Sequence, residues 1–281
     1  MKYKGDAVFR TVTLLFAASI PLLFFGIFTM LVSKSWLAVQ TFGPGFLARS
    51  VWDPVRNEYG ALPFIYGTIV SSLLALFIAV PLGLGCAIYL SEVSASRFKE
   101  YIATMVDLLA AIPSVVYGLW GIFILGPIFG LSILHAGILL AIMILPTITA
   151  VSREVLQAVP WSLRESVRAL GATQLETVKL AVLPPAASGI IGSIVLGLGR
   201  AIGETMAVTM VIGNRPEISA NLLAPAYSLS AVIANEFAEA VSDLNFSVMV
   251  EIALILLVIT VLVNGVARLL VWKIASQNRI Q

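Results

Sequence analysis

The sequence has few charged residues, one histidine and one cysteine, and each shortage excludes a class of protein. Charged residues make up 11% of the 281 positions and apolar residues 59%, whereas soluble domains are typically about 25% charged and about 45–50% apolar. A soluble enzyme and a disordered chain are therefore excluded. A lone Cys86 and a lone His135 make neither an internal disulfide nor a metal cage, so no metal site is expected.

The charge balance and the motifs exclude further functions. The 17 basic and 15 acidic residues give a net charge of +2, which is not the basic surface of a nucleic-acid-binding protein. No phosphate-binding loop of the form GxxxxGK[ST] and no catalytic constellation occurs, so we expect a non-catalytic chain that binds no cofactor. What remains is an integral membrane protein. It is predicted to be all-α, because its long apolar runs do not alternate as barrel strands do.

Long apolar stretches with few or no charges predict six transmembrane helices. They cover residues 11–33, residues 59–91, two spans within 101–152, about 185–213 and about 246–270. The Gly126-Pro127 and Gly130 cluster is predicted to separate the third span from the fourth. The first apolar run is longer than that of a cleaved signal sequence, so we interpret it as a membrane anchor.

Basic residues orient these helices. Twelve of the 17 fall in segments that are cytoplasmic if the N-terminus is inside, and Arg200 lies within a span. The other four, Lys34, Arg49, Arg56 and Arg215, fall outside. The positive-inside rule therefore predicts that both termini are cytoplasmic.

The inner loop between the fourth and fifth spans, residues 153–185, predicts two short capped helices. Ser162 with Glu165 and Thr173 with Glu176 have the spacing of capping boxes. Gly171 is placed to end the first helix, and Pro184-Pro185 to stop the second. Such an element is either a docking surface for a soluble partner or a helix pair lying on lipid headgroups.

The fifth predicted span carries charges at mid-membrane depth. In LGLGRAIGETMAVTMVIGN (196–214), Arg200 and Glu204 are four residues apart and so are expected on one helix face. A charge at that depth costs about 2.5–3.5 kcal/mol, so Arg200 should face the bundle interior and pair first with Glu204. The pair is either a structural ion pair or a relay for an oxyanion, which suits the guanidinium fork. Glu204 and Thr205 would line that path.

The inner loop resembles the EAA motif of bacterial ABC importer permeases. That motif reads Glu-Ala-Ala, three residues, Gly, nine residues, then Ile-x-Leu-Pro, and here Ser166, Val167 and Ala181 depart from it. The resemblance implies that the loop fits a cleft of an ATP-hydrolysing subunit. The residues it assigns to coupling are Glu165, Leu170, Gly171, Ala172, Leu183 and Pro184.

The runs RAIGETMAVTMVIGN and IPSVVYGLWGIF (112–123) resemble PstC-type permeases of phosphate-specific (Pst) ABC importers. The resemblance covers roughly residues 65–271. It implies a type I importer (MetI-like) permease of the bacterial inner membrane, with an N-terminal helix and outer loop over 1–64 and a transport domain over 65–275. The implied partners are a PstA-like permease, two PstB-like subunits that use ATP and Mg, and a PstS-like phosphate-binding protein.

Two alternatives remain open at this point. One is a permease for molybdate, sulfate or phosphonate, against which the RAIGETMAVTM run argues. The other is a stand-alone secondary transporter, which would carry inverted repeats and need no docking loop.

Three further features carry weaker expectations. Asp107 is expected at the cytoplasmic interface, or else as a partner of Arg200 or of a second subunit. Pro113 should kink the third span and leave one backbone carbonyl without its helical hydrogen bond. Either Ser114 donates a hydrogen bond to this carbonyl, or the carbonyl faces a pore. In the outer loop 214–247, the spacing of Leu229, Val232, Ile233 and Phe237 predicts a short interfacial helix.

Overall fold

The computed structural model describes residues 4–93 and 98–277, which form helices joined by short connections. The α-helices of this part are α1 (Lys4–Phe42), α2 (Leu62–Ile88), α3 (Phe98–Ala111), α4 (Ser114–Trp120), α5 (Gly126–Phe129), α6 (Ile133–Gln157), α7 (Trp161–Ala169), α8 (Gln174–Thr177), α9 (Leu183–Gly203), α10 (Met206–Val211), α11 (Leu229–Glu236) and α12 (Asp243–Gln277). Single 3-10 turns cover Gly43–Leu47 and Phe237–Glu239, and π-helical turns cover Tyr89–Val93, Gly121–Leu125 and Val178–Val182. The all-α prediction is confirmed.

The predicted spans correspond to long apolar helices. Five stretches are long and apolar enough to cross a bilayer: Val8–Leu47, Leu62–Val93, Ile133–Gln157, Gln174–Gly203 and Asp243–Leu269. The third predicted span is a pair, Lys99–Ala111 and Ser114–Phe129, bent by 96°. With this pair taken as one broken span, the structure agrees with the predicted six.

The bend in the third span lies at Pro113. Proline has no N–H, so the carbonyl of Leu109 loses its helical partner. The Tyr117 hydroxyl donates to that carbonyl at 2.7 Å. Assigning this role to Ser114 was wrong, because the turn of the chain brings Tyr117, further along α4, over the end of α3.

The break between the third and fourth spans falls at Gly130, as predicted. Gly130 has φ +62, a left-handed conformation that glycine adopts readily. Ser132 then caps α6, accepting a hydrogen bond from the His135 N–H, and the His135 ring bonds the Gly130 carbonyl at 2.7 Å. The other half of the predicted break, Gly126-Pro127, begins α5 instead.

The core lies where α6 packs against α2 and α9. Leu139, Ile144 and Ile148 of α6 are fully buried there. A Cβ added at Gly137 would lie 2.8 Å from the Leu74 Cβ, and one at Gly197 would lie 3.0 Å from Ile148. Small residues thus bring the helices close, and close van der Waals packing is the main attraction between helices in lipid.

The first helix has two different halves. Its inner part exposes large apolar side chains such as Phe9, Phe16 and Phe25, whereas its outer part packs on α12. At that contact the Ser247 hydroxyl accepts from the Ala38 N–H at 3.0 Å and donates to the Lys34 carbonyl at 2.9 Å. It therefore bridges one hydrogen bond of the α1 ladder, a local insertion that ties the two helices together.

The helix predicted in the outer loop is present as α11, but its predicted interfacial position was wrong. Leu229, Ala231 and Val232 are fully buried. The Leu229 N–H donates to the Thr68 hydroxyl of α2 at 2.9 Å. The short helix packs inside the outer part of the bundle because the preceding loop folds back onto α10, where Gly213 and Ala226 form a β-bridge.

The predicted stop at Pro184-Pro185 was also wrong. The apolar stretch Gln174–Gly203 continues through both prolines. They occupy the first turn of α9, where a missing N–H costs little. The π-helical turn Val178–Val182 precedes them and joins α8 to α9 without a loop.

Candidate functional site

The fifth span is interrupted near Arg200. Helix α9 ends at Gly203, and Glu204 is extended, with φ −70 and ψ 127. The Glu204 carbonyl, freed from a helical partner, accepts from the Ser230 hydroxyl of α11 at 2.7 Å. A new helix, α10, begins at Met206. The interruption is therefore stabilised by a neighbouring helix, as non-helical backbone at membrane depth must be.

Arg200 projects from the last turn of α9 toward the middle of α6. Its guanidinium donates to the Thr147 hydroxyl at 3.2 Å. Within residues 4–93 and 98–277, this is the hydrogen bond that Arg200 makes, and it has no ion pair there. Because a guanidinium has five N–H donors, most of its donor capacity is unused.

The predicted pairing of Arg200 with Glu204 is wrong. One Glu204 carboxylate oxygen accepts from the Ala207 N–H at 3.3 Å and so caps α10. The i, i+4 rule holds only within one helix, and α9 ends between the two residues. Thr205 also turns back locally, since its hydroxyl donates to the Gly203 carbonyl at 3.3 Å.

Open space adjoins this interruption. Gly203 is exposed, and a Cβ added to it would contact nothing within 4 Å. Glu204 and Thr205 are half-buried. The site thus combines a half-buried arginine, a turn of non-helical backbone and an open side.

On the inner surface, the loop after α6 has the predicted glycine turn. Gly171 has φ +87, and its N–H donates to the Arg168 carbonyl at 2.9 Å while the Ala172 N–H reaches the Val167 carbonyl at 3.4 Å. These two bonds form a Schellman motif, for which glycine is the usual residue. The turn therefore fixes the angle between α7 and α8.

One of the two predicted capping boxes is confirmed. The Thr173 N–H donates to the Glu176 carboxylate at 2.8 Å, and the Thr173 hydroxyl accepts from the Glu176 N–H. These hydrogen bonds lower the pKa of the exposed Glu176 carboxyl below its usual value. The Ser162 box is wrong, because α7 begins two residues earlier than that cap requires, directly after Pro160. The Glu165 carboxylate accepts from the Trp161 indole instead.

Sequence reasoning missed the ion pair that fixes this loop to the bundle. Arg164 lies in α7 with its side chain only 5% exposed, and it pairs with the equally buried Glu92 at 2.6 Å. The position of Glu92, directly after the second apolar run, was the sequence signal that could have identified the partner of Arg164.

The residues assigned to coupling form the exposed part of the loop. Leu170, at the tip, is 88% exposed. Glu165, Gly171 and Pro184 are exposed, and Ala172 and Leu183 are half-buried. Further apolar side chains on this surface are Trp161, Leu163 and Leu175. An exposed apolar patch of this kind indicates a contact with another protein or with lipid.

Asp107 pairs with Arg153 instead of Arg200. Its carboxylate lies 3.7 Å from Arg153 at the inner end of α6, and about half of its side chain is exposed. The expected interfacial position is therefore supported by an exposed ion pair, a type that contributes little stability.

One buried acid and one half-buried acid were also missed. Glu251 of α12 is 7% exposed, and its Oε2 has no hydrogen-bond partner within the described residues; an acid inside the sixth predicted span was its signal. Glu236, on the outer side, accepts from the Trp52 indole at 2.9 Å and the Tyr227 hydroxyl at 3.3 Å. Burial raises the pKa of Glu236, and these hydrogen bonds partly offset that effect.

Comparison with known proteins agrees with this architecture. The family described as "Binding-protein-dependent transport system inner membrane component" matches residues 79–276. The phosphate transport system permease protein PstC of Mesorhizobium japonicum is 43% identical, with 97% of this chain and 92% of that protein covered.

Solved structures agree at the level of the fold. An inward-facing MetNI methionine ABC transporter chain has a TM-score of 0.59 at 20% identity, covering 76% of this chain and 94% of that one. A chain of a bacterial ABC transporter involved in the import of the acidic polysaccharide alginate has a TM-score of 0.61 at 16% identity, covering 95% and 99%. The chain therefore belongs to the PstC family of binding-protein-dependent inner-membrane permeases.

Proposed function

We propose that this chain is a membrane-spanning subunit of an ATP-driven importer and that it moves inorganic phosphate into the cell by alternating access. The observation that carries the proposal is Arg200, a guanidinium at mid-membrane depth with one hydroxyl partner and most of its donors free. The relative from Mesorhizobium japonicum is named as a phosphate transport system permease protein, which supports phosphate over other oxyanions.

Phosphate would bind Arg200 at the interruption between α9 and α10. A guanidinium recognises an oxyanion with two parallel N–H donors, and the charge makes both bonds strong. Thr205 lies beside this position, and Gly203 leaves room for the ion. Glu204 is occupied as the cap of α10, so its carboxylate sets the shape of the turn rather than holding Arg200.

Energy would come from other subunits. We propose that two ATP-binding subunits, which use ATP and Mg, contact the exposed surface around Glu165, Leu170 and Gly171. This assignment requires that the inner loop is cytoplasmic, as the distribution of basic residues predicts, and both termini are then cytoplasmic too. A second, homologous permease and an extracytoplasmic phosphate-binding protein complete the assembly.

The test is transport of radiolabelled phosphate into proteoliposomes. This chain is co-expressed with its partner permease and ATP-binding subunits, reconstituted, and supplied with ATP and Mg on one side and the binding protein with phosphate on the other. We expect uptake that requires ATP and that excess sulfate or molybdate does not reduce.

Vesicles containing only this chain are the control. Uptake by the chain alone would contradict the proposal in favour of a stand-alone transporter. Competition by sulfate or molybdate as strong as that by unlabelled phosphate would contradict the substrate assignment and leave the importer assignment intact.

A further inference from the structure

The guanidinium of Arg164 makes most of the side-chain hydrogen bonds that fix the inner loop to the bundle. Arg164 donates to both Glu92 carboxylate oxygens, at 3.0 and 2.6 Å. It also donates to the carbonyls of Val159, at 2.5 Å, and Leu156, at 2.8 Å. Four contacts from one buried side chain use nearly all of its five donors.

These contacts join three separate elements: α7, the π-helical turn Tyr89–Val93 and α6. Glu92 lies in the π-helical turn that ends the second span, and Leu156 lies in the last turn of α6. Carbonyls at a helix C-terminus have no intrahelical partner and carry partial negative charge, so a buried cation satisfies them. Gln174 of α8 adds a further bond, from its amide to the Glu92 carbonyl.

One of the joined helices also carries the partner of Arg200. Leu156 and Thr147 are nine residues apart on α6, which is about 14 Å at 1.5 Å per residue. Helix α6 is uninterrupted between them, and most of its side chains are packed against α2 and α9. A displacement of the inner end of α6 would therefore also displace Thr147.

From this geometry we propose that Arg164 is a positioning residue, which with Glu92 fixes the inner loop to the ends of α2 and α6 so that a displacement of the loop moves Thr147 relative to Arg200. The inference rests on the proposed function, since it needs ATP-binding subunits that displace the loop. It assigns the transmission of that movement to one ion pair and its carbonyl contacts.

The competing interpretation is that the pair only fills space. Replacing a buried ion pair with apolar residues of similar volume is often harmless to stability, whereas removing one partner leaves a buried, unpaired charge. The double variant Glu92→Leu/Arg164→Leu therefore separates the two. It can retain the packing, but it loses every bond to the carbonyls of α6.

The experiment measures phosphate uptake, ATP hydrolysis and the amount of assembled importer in proteoliposomes. For the double variant we expect assembly to persist and the phosphate moved per ATP to fall about tenfold, within the range typical of coupling between two sites. Arg164→Lys should give a smaller fall, because lysine keeps the charge but not the two-point fork. Arg56→Met, which removes an exposed pair with Asp53 in the outer loop, is the matched control and should match the wild type.

An unchanged ratio of phosphate to ATP in assembled variants would overturn the proposal, since space-filling alone predicts uptake and hydrolysis that fall only in proportion to assembly. If the wild-type importer moves no phosphate with ATP, the proposed function is wrong. This result is obtained before any variant is made, so it is distinguishable from a failure of the inference about Arg164.

A second measurement needs no variant of the ion pair. Spin labels at Leu82→Cys of α2 and Ser162→Cys of α7, in a Cys86→Ala background, report the distance between the second span and the loop. We expect the same distance in the nucleotide-free and ATP-bound importer, because the joint makes α2 and α7 one rigid unit. A shift of more than about 5 Å, one helical turn, would overturn the proposal even if every Arg164 variant failed to assemble.

Discussion

The inner loop and the mid-membrane interruption are built from the same three residue types and use them differently. Among the residues that the structure describes, Arg164 of the loop makes four hydrogen bonds, whereas Arg200 makes one. Each arginine has a charged residue four positions further along the chain, Arg168 after Arg164 and Glu204 after Arg200. The number of donors already used by the protein therefore separates an arginine that holds the structure together from one that can bind an anion.

The glycines and the acids of the two regions differ in the same way. Gly171 is required by its φ of +87, while Gly203 adopts no such conformation and faces open space. Glu176 and Glu204 both cap short helices, but Glu176 is exposed at the surface and Glu204 is half-buried at the interruption. The loop is shaped by local hydrogen bonds, and the interruption by packing against α11.

The largest expected effect comes from exchanging the two arginines for glutamine one at a time. Arg200→Gln should lower phosphate uptake about a hundredfold or more, because two charge-assisted bonds to the anion are lost, and should leave the amount of assembled importer unchanged. Arg164→Gln should instead lower assembly, since it leaves Glu92 buried without its cation, at a cost of about 3–5 kcal/mol. Uptake assays and quantitative blotting of purified importer measure the two effects.

Thr147→Val is the control for this comparison. It removes the one hydrogen-bond partner that Arg200 has within residues 4–93 and 98–277, and it should reduce uptake less than Arg200→Gln does. If Arg200→Gln lowers assembly as much as uptake, Arg200 is structural and the comparison between the two arginines fails.

An intermediate effect is expected at Gly171. A side chain at φ +87 costs about 1–2 kcal/mol, more for a β-branched residue, so Gly171→Val should shift the turn between α7 and α8. We expect ATP hydrolysis to continue while the phosphate moved per ATP falls. Gly171→Asn is the matched control, because asparagine tolerates the left-handed region, and should retain most of the coupling. Normal coupling in the valine variant would argue against a role for this turn.

The smallest effect concerns the cap of α8 and its pH dependence. The pKa of Glu176 is lower in the folded loop than in an unfolded chain, so its stabilisation is present above the usual carboxyl pKa and is lost as the pH falls through the folded value. The protection factors of the amides of residues 174–177, which correct for the slower intrinsic exchange in acid, should therefore be high at neutral pH and lower in acid. Glu176→Gln should exchange faster at neutral pH and lose the pH dependence, whereas Thr173→Ser, which keeps the hydroxyl, should behave as the wild type does.

Much of the fold was predictable because membrane spans are set by length and composition. The second, fourth and sixth spans lie where the apolar runs placed them, and Gly130 separates the third from the fourth. The third span was not predicted correctly in detail. Proline and serine at 113–114 indicated a kink, but a bend of 96°, and the use of Tyr117 to satisfy Leu109, depend on side chains that meet only after the chain has turned.

The residues of the candidate sites could be identified from the sequence, but their long-range contacts could not. Gly171, Thr173 and Glu176 were assigned correctly because their partners lie within five residues. The predicted partner of Arg200 was wrong, and the partner of Arg164 was not predicted. Thr147 lies 53 residues from Arg200 and Glu92 lies 72 residues from Arg164 along the chain.

The sequence by itself determined the membrane class, the helical content and the location of the two candidate segments, since hydropathy, glycine turns and capping depend on neighbouring residues. Tertiary structure alone decided which charges are satisfied. A buried cation takes the acceptors that packing brings within about 3 Å, and in this chain packing supplied four acceptors to Arg164 and one to Arg200.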